Sequence, residues 1–256
     1  MADESRTLRP SARRADRRAT RQSPAARAVR LRVLDAFELT IDGEAVEVAH
    51  PARRLISLLA VKHHPLLRGY AAGVLWLNFT EDRAAANLRS ALWRVRSLGV
   101  PIVDTRNGTL QLLPWVEVDL DAARSVAHRW LANLETKADC DAGSTAIAGE
   151  LLPDWYDDWL TDDRESFRQL RLHALEAMAE RLADAHRCGD AIIAALAAVA
   201  ADPLRESAHR AVIKVHLAEG NVAEAIRQLH RCERLMLDEV GVPPSARLAE
   251  LIQQGA

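Results

Sequence analysis

The chain has 256 residues, 49% of them hydrophobic and 27% charged, and a formal net charge of −2. That length suits two domains of about 100–200 residues, and the composition supports a sizeable core, which excludes a chain disordered throughout. Charge is polarised along the sequence: nine Arg stand against three acids in residues 1–30, ten bases against ten acids in 31–120, and fifteen bases against twenty-three acids in 121–256.

The first 29 residues, rich in Arg, Ala, Ser and Pro without periodicity, predict a disordered basic tail. Such a tail is either an arm that adds phosphate contacts on DNA or an incidental extension before the first domain. No signal-peptide core and no apolar run near the eighteen or so residues of a membrane span are present, which predicts a cytoplasmic protein without membrane contact. Cys140, Cys188 and Cys232 are odd in number, widely spaced and outside any C-x-x-C pattern, so they read as reduced packing thiols.

Residues 29–39 alternate well enough for a strand, and 40–48 carry a second across the Asp42-Gly43 turn. His50-Pro51 opens a helix whose buried side holds Leu55, Ile56, Leu58, Leu59 and Val61. A short helix over 68–77 and a turn at Asn78-Phe79-Thr80 lead into the most informative stretch, 80–98, TEDRAAANLRSALWRVRSL. At about 100° per residue, Ala84, Leu88, Ala91, Leu92 and Val95 share one side, and Arg83, Asn87, Ser90 and Arg94 share another at i, i+4, i+7 and i+11. Thr80 or Asp82 offers an N-cap, and the acids Glu81 and Asp82 suit the positive end of the helix dipole. Asn pairs with adenine, Arg with guanine and Ser with either, so the second stripe fits the major-groove edge code. An ordinary solvated helix face is the competing account. Strand-like segments at 101–103 and 109–113 flank Arg106-Asn107-Gly108, a hairpin signal. Strands, three helices and a terminal hairpin make a winged helix-turn-helix, whose last helix enters the groove while the wing reaches the backbone. In that reading Arg83, Asn87, Ser90 and Arg94 read bases, and Arg89, Arg96 and Arg106 position the domain on phosphates.

Beyond about 121 the sequence reads as helical repeats. Leu170-Arg171 and Leu204-Arg205 recur at an offset of 34, and Gly189 and Gly220 at 31, close to a tetratricopeptide helix pair. Small residues crowd 191–201, and Asp202-Pro203 divides one pair from the next. Stacked pairs form a solenoid with a groove suited to a protein partner. Trp155, Tyr156 and Trp159 are expected to cap the apolar end of the first repeat. Residues 135–149, rich in Gly, Ala, Ser, Thr and Asp, predict a flexible linker. His63-His64 is weak as a metal site because adjacent helical residues point apart. No catalytic constellation and no cofactor motif emerge, and the acidic run WYDDWLTDD reads as surface.

VLWLNFTEDRAAANLRSALWRVRSLG followed by WVEVDLDAA resembles the winged-helix domain of the Streptomyces antibiotic regulatory protein family of bacterial activators, which is similar to the output domain of OmpR-type response regulators. LLPDWYDDWL and the helical region with its DPLRE, HLAEGN and DEVGVPPS blocks resemble the bacterial transcriptional activation domain that follows it in that family. The likeness spans about 30–253. HPARRLISLLA, where Lys or Gln after proline is commoner, and LNFT, where LWPD-like turns are usual, depart from the pattern. The resemblance implies a mostly α protein with a small β component: a tail at 1–29, a winged helix-turn-helix at 30–120, and a tetratricopeptide-like activation domain at 121–256. It implies a non-enzymatic activator that binds direct repeats in double-stranded promoter DNA, forms a homodimer there, and recruits RNA polymerase through its sigma factor and core subunits. The absence of a G-x-x-x-x-G-K-S/T loop predicts that the ATPase module of larger relatives is missing. The neutral balance of 31–120 leaves an alternative, a helical-repeat interaction scaffold whose winged helix no longer reads DNA.

Overall fold

The computed structural model describes residues 27–255, so the expected tail lies, up to residue 26, outside the described residues. Strand β1 (Val29–Arg32) buries Val29 and Leu31 and exposes Arg30 and Arg32, the alternation of a half-buried strand. The single strand expected over 29–39 is interrupted at Asp35, whose φ of 64° turns the chain. β2 (Glu38–Ile41) then returns antiparallel to β1, and Asp42-Gly43, at φ 55° and 88°, makes the tight turn into β3 (Glu44–Ala45).

Helix α1 (His50–Lys62) carries proline in its first turn and buries the five apolar residues that the sequence assigns to its inner side. The two residues of β4 (Leu66–Leu67) precede α2 (Arg68–Leu75) and α3 (Glu81–Arg96). β5 (Val103–Asp104) and β6 (Thr109–Leu112) form the wing, with β6 central in the order β4-β6-β5. At the wing tip Asn107 and Gly108 both take left-handed φ, 55° and 72°, as an Asn-Gly hairpin turn requires. β7 (Val116–Val118) then runs parallel to β1 and completes a four-stranded sheet in the order β3-β2-β1-β7.

Helix α4 (Asp119–Ala132) is tied to that sheet by its first residue. The Asp119 carboxylate accepts the backbone N–H groups of Val33, Leu34 and Leu120 at 2.7–3.1 Å. Burial raises its pKa, and these three donors oppose the shift.

The segment expected to be a flexible linker is instead folded. α5 (Lys137–Ala142) opens with a capping box in which Thr136 and Asp139 exchange bonds, and the 3-10 turn Gly143–Ile147 delivers Ile147 fully into the core. Asp139 is buried and takes both ends of the Arg129 guanidinium at 2.5 and 2.7 Å, which holds its carboxyl well below the usual carboxylate range. The small and polar composition that suggests a linker is the composition of a capped short helix followed by a close-packed turn. Gly149 must be glycine: its φ is 95°, and a Cβ there would lie 2.9 Å from the Asp35 carboxylate. Just beyond it, Leu151 pairs with Leu34 and the Leu152 N–H donates to Val33.

Helices α6 (Thr161–Asp184), α7 (Cys188–Ala201), α8 (Glu206–Ala218) and α9 (Val222–Val240) pack successively, and α10 (Ala246–Gly255) lies on α8 and α9. Ala191, Ala194, Ala195, Ala198 and Ala208 are fully buried where these helices approach. One apolar core runs from Val29 to Val215, and a smaller one joins Ile213, Ala225, Cys232 and Leu248. The aromatic cluster before the repeats behaves differently from expectation. Trp155 stacks on Phe37 beside the N-terminal sheet, with ring centroids 6.2 Å apart, whereas Tyr156 is 94% exposed.

Candidate nucleic-acid interface

Helix α3 owes its orientation to its apolar stripe. Ala84, Leu88, Ala91, Leu92 and Val95 are all buried against α1 and α2, which turns the remaining sides outward. Glu81 and Asp82 occupy its first turn, Arg94 and Arg96 its last, and both pairs complement the dipole. Thr80 holds the N-cap backbone position without a side-chain bond.

Arg83, Ser90 and Arg94 are exposed, and Asn87 is half-buried on the same side. Arg89 is exposed as well and shares a shallow notch with Ala86, Ser90, Trp93 and Arg94. The Ser90 hydroxyl donates back to the Ala86 carbonyl at 3.2 Å, leaving its oxygen lone pairs outward. Among the described residues, Arg83, Arg89 and Arg94 have no carboxylate within ion-pairing distance.

The wing stands at the other end of the helix. Arg96 donates to the Thr105 hydroxyl at 3.4 Å and so bridges the end of α3 to the hairpin. Arg106 is engaged differently from the sequence expectation of a side chain poised for phosphate. Its guanidinium forks onto Asp104 at 2.6–2.9 Å, which pulls the Asp104 carboxyl down to about 2 and raises the guanidinium's own pKa.

Two features went unread in the sequence. Trp93 is 68% exposed on the outward side of α3, among the residues assigned to base reading. Its signal was available, because position 93 lies about 160° around the helix from the apolar stripe and no core contact explains a tryptophan there. The second is a clasp between α1 and the acidic run. Arg54 donates through Nε to Asp157 at 2.9 Å, and Lys62 pairs with Asp163 at 2.7 Å, with all four side chains largely covered. WYDDWLTDD is thus a contact with the winged helix as much as a surface.

Among the described residues, no cluster of three or more His, Cys, Asp or Glu could hold a metal ion, and no helix is long and apolar enough to cross a membrane. His63 instead pairs with Asp121 at 3.0 Å.

Residues 118–254 match the family model of the bacterial transcriptional activator domain. The chain is 28% identical over 242 residues to the regulatory protein AfsR of Streptomyces coelicolor, covering 89% of this chain and 24% of that protein. It therefore spans about a quarter of the length of that curated relative. A solved structure of Mycobacterium tuberculosis EmbR in complex with a low-affinity phosphopeptide shares the fold, with a TM-score of 0.72 at 19% identity over 90% of this chain and 65% of that one. The match to the family model covers more than half of the chain, and the chain belongs to the bacterial transcriptional activator domain family.

Proposed function

We propose that this chain is a sequence-specific DNA-binding transcription activator of the cytoplasm, without catalytic activity. Residues 30–120 form its reading unit and 121–256 its activation unit. The observation that carries this reading is the outward side of α3, where Arg83, Arg89 and Arg94 are exposed and lack carboxylate partners among the described residues, whereas Arg30, Arg32 and Arg106 of the winged helix are paired. A cation held out to solvent on a rigid helix gains most when a phosphate or a guanine edge replaces its water. Arg83, Asn87, Ser90 and Arg94 read bases, and Arg89 and Arg96 contact phosphates. Arg106 joins them only by exchanging Asp104 for a phosphate, so its contribution is the smallest. Following the resemblance to the Streptomyces antibiotic regulatory protein family, the chain binds direct repeats as a dimer and recruits RNA polymerase through its sigma factor and core subunits.

Selection of bound fragments from genomic DNA with the full-length protein tests the reading. A repeated motif is expected, with log affinity falling against log salt by about 0.9 per phosphate contacted. Removal of residues 1–28 should lower that slope and leave the motif unchanged. Failure to enrich any sequence overturns the proposal in favour of an interaction scaffold.

A further inference from the structure

Trp93 is the one large apolar side chain among the described residues on the outward side of α3, and the residue is 68% exposed. Taking about 100° per residue, Trp93 and Ala86 fall within about 20° of each other, nearly opposite the stripe of Ala84, Leu88, Ala91, Leu92 and Val95. No rotamer can return the ring to the core from that position. Helical side chains lean towards the helix N-terminus, so the ring lies over the turn of Arg89 and Ser90 and faces Ala86. The result is the notch lined by Ala86, Arg89, Ser90, Trp93 and Arg94. Its chemistry is mixed in a particular way: an indole face and a methyl group at the centre, with two guanidinium groups at the margins.

A notch of that kind matches one feature of the major-groove edge. Only thymine presents an apolar group there, its C5-methyl, and the arginines on either side suit the flanking phosphates or guanines. A sugar or phosphate contact would use the guanidinium groups but gain nothing from an indole. We propose that Trp93 is a specificity-determining residue that recognises the C5-methyl of a thymine, with Ala86 as the second wall of the contact. The inference rests on the DNA-binding reading above and adds a base identity to it.

The test uses full-length protein and the site enriched by selection, with each thymine replaced in turn by deoxyuridine, which removes only the methyl. In the parent protein one position per half-site should lose about fourfold in affinity, the value of burying one methyl-sized group. In Trp93→Ala that same replacement should have no effect, because the methyl has lost its partner. Trp93→Phe should restore part of the sensitivity. Both variants should melt as the parent does, since Trp93 is exposed and lies outside the buried stripe of α3. A flat deoxyuridine series in the parent overturns the inference, as does a thymine preference that survives Trp93→Ala. A uniform loss of affinity in Trp93→Ala with an unchanged motif likewise overturns it and assigns the ring to the backbone. These results all require a recovered motif, so they are distinct from failure of the DNA-binding reading, in which no motif is recovered.

Discussion

In the helical-repeat half, arginines join elements. Arg164 donates to the carbonyls of Leu151, Leu152 and Trp155, Arg168 spans Glu165 and Asp202, and Arg205 reaches Glu176 across two helices. In α3 the same residue type occurs at comparable density, yet Arg83, Arg89 and Arg94 join nothing among the described residues. The difference explains why net charge misleads here. Residues 31–120 are neutral in sum, but within them Glu38 faces Arg32 and Asp104 faces Arg106, while Glu117 faces Arg30 just outside that stretch. Those pairs cancel locally, and they leave Arg83, Arg89 and Arg94 as exposed cations, unpaired among the described residues, on the outward side of α3. A balanced domain can therefore still present a basic face.

If the repeat half is held by close packing and internal clasps, its largest sensitivities should be to volume. Trp130 of α4 is 1% exposed, with the Arg181 guanidinium 5.4 Å above its ring. Trp130→Ala is expected to cost about 3–5 kcal/mol, measured by urea unfolding, since both transfer energy and a cavity are involved. A loss below about 1 kcal/mol would place the α4–α6 contact outside the cooperative core. The reverse error, added bulk, is next in size. Ala208→Leu in α8 and Ala195→Leu in α7 are expected to lower stability by about 1–3 kcal/mol, because both positions are fully buried. A variant that melts with the parent would show that the helix can retreat at that position.

The legibility of the sequence follows the same division. The α3 stripe was readable residue by residue because helical periodicity is local, and the wing tip was readable because an Asn-Gly pair encodes its own turn. β7 was not readable as a strand: its three residues gain their structure from β1, 87 positions earlier, and a parallel partner leaves no hairpin signal. The 135–149 segment misled because small polar residues serve both linkers and caps, and only the buried Arg129–Asp139 pair decides between them. At the site, the polar stripe drew attention to Asn87 and Arg94 and away from Trp93, since an apolar residue on a polar face counts as noise in a periodicity argument. The Arg106–Asp104 fork was within reach of sequence, two residues apart on a hairpin, and it removes Arg106 from the set of unpaired cations.

Substitutions within α3 sharpen the comparison from the other side. Asn87→Ala and Arg94→Ala should each cost about 1–3 kcal/mol on the cognate site and relax preference at particular base pairs. Arg89→Ala should weaken all sequences by a similar factor and lower the salt slope by about one unit. None of these residues belongs to the apolar stripe, so thermal melts should match the parent within about 0.5 kcal/mol. If Arg94→Ala retains the full motif and only loses affinity, Arg94 positions the domain and does not read it.

The smallest expected effect concerns a buried polar pair deep in the repeats. His209 is fully buried in α8; its Nε2 donates to the Pro203 carbonyl at 2.8 Å, and the Gln228 amide donates to its Nδ1 at 2.8 Å. Those two bonds fit the neutral ring with its proton on Nε2, since a second proton on Nδ1 would face the Gln228 donor. Burial depresses the imidazole pKa first, the Arg231 charge adds to that shift, and the Pro203 bond opposes it. The unfolded chain, with a histidine pKa of about 6.5, binds the proton more readily than the folded one. Stability from this group is therefore complete above about pH 6.5 and is lost as pH falls through that value towards the lower folded pKa. The Tm of the parent should drop between about pH 7.5 and 5.5 by more than that of His209→Gln, whose amide can still donate to Pro203 but does not titrate. The remaining histidines are common to both proteins and cancel in the difference. Parallel pH profiles would mean that His209 gains its proton without cost, and that the Pro203–His209–Gln228 chain of bonds does not hold the second helix pair in its register.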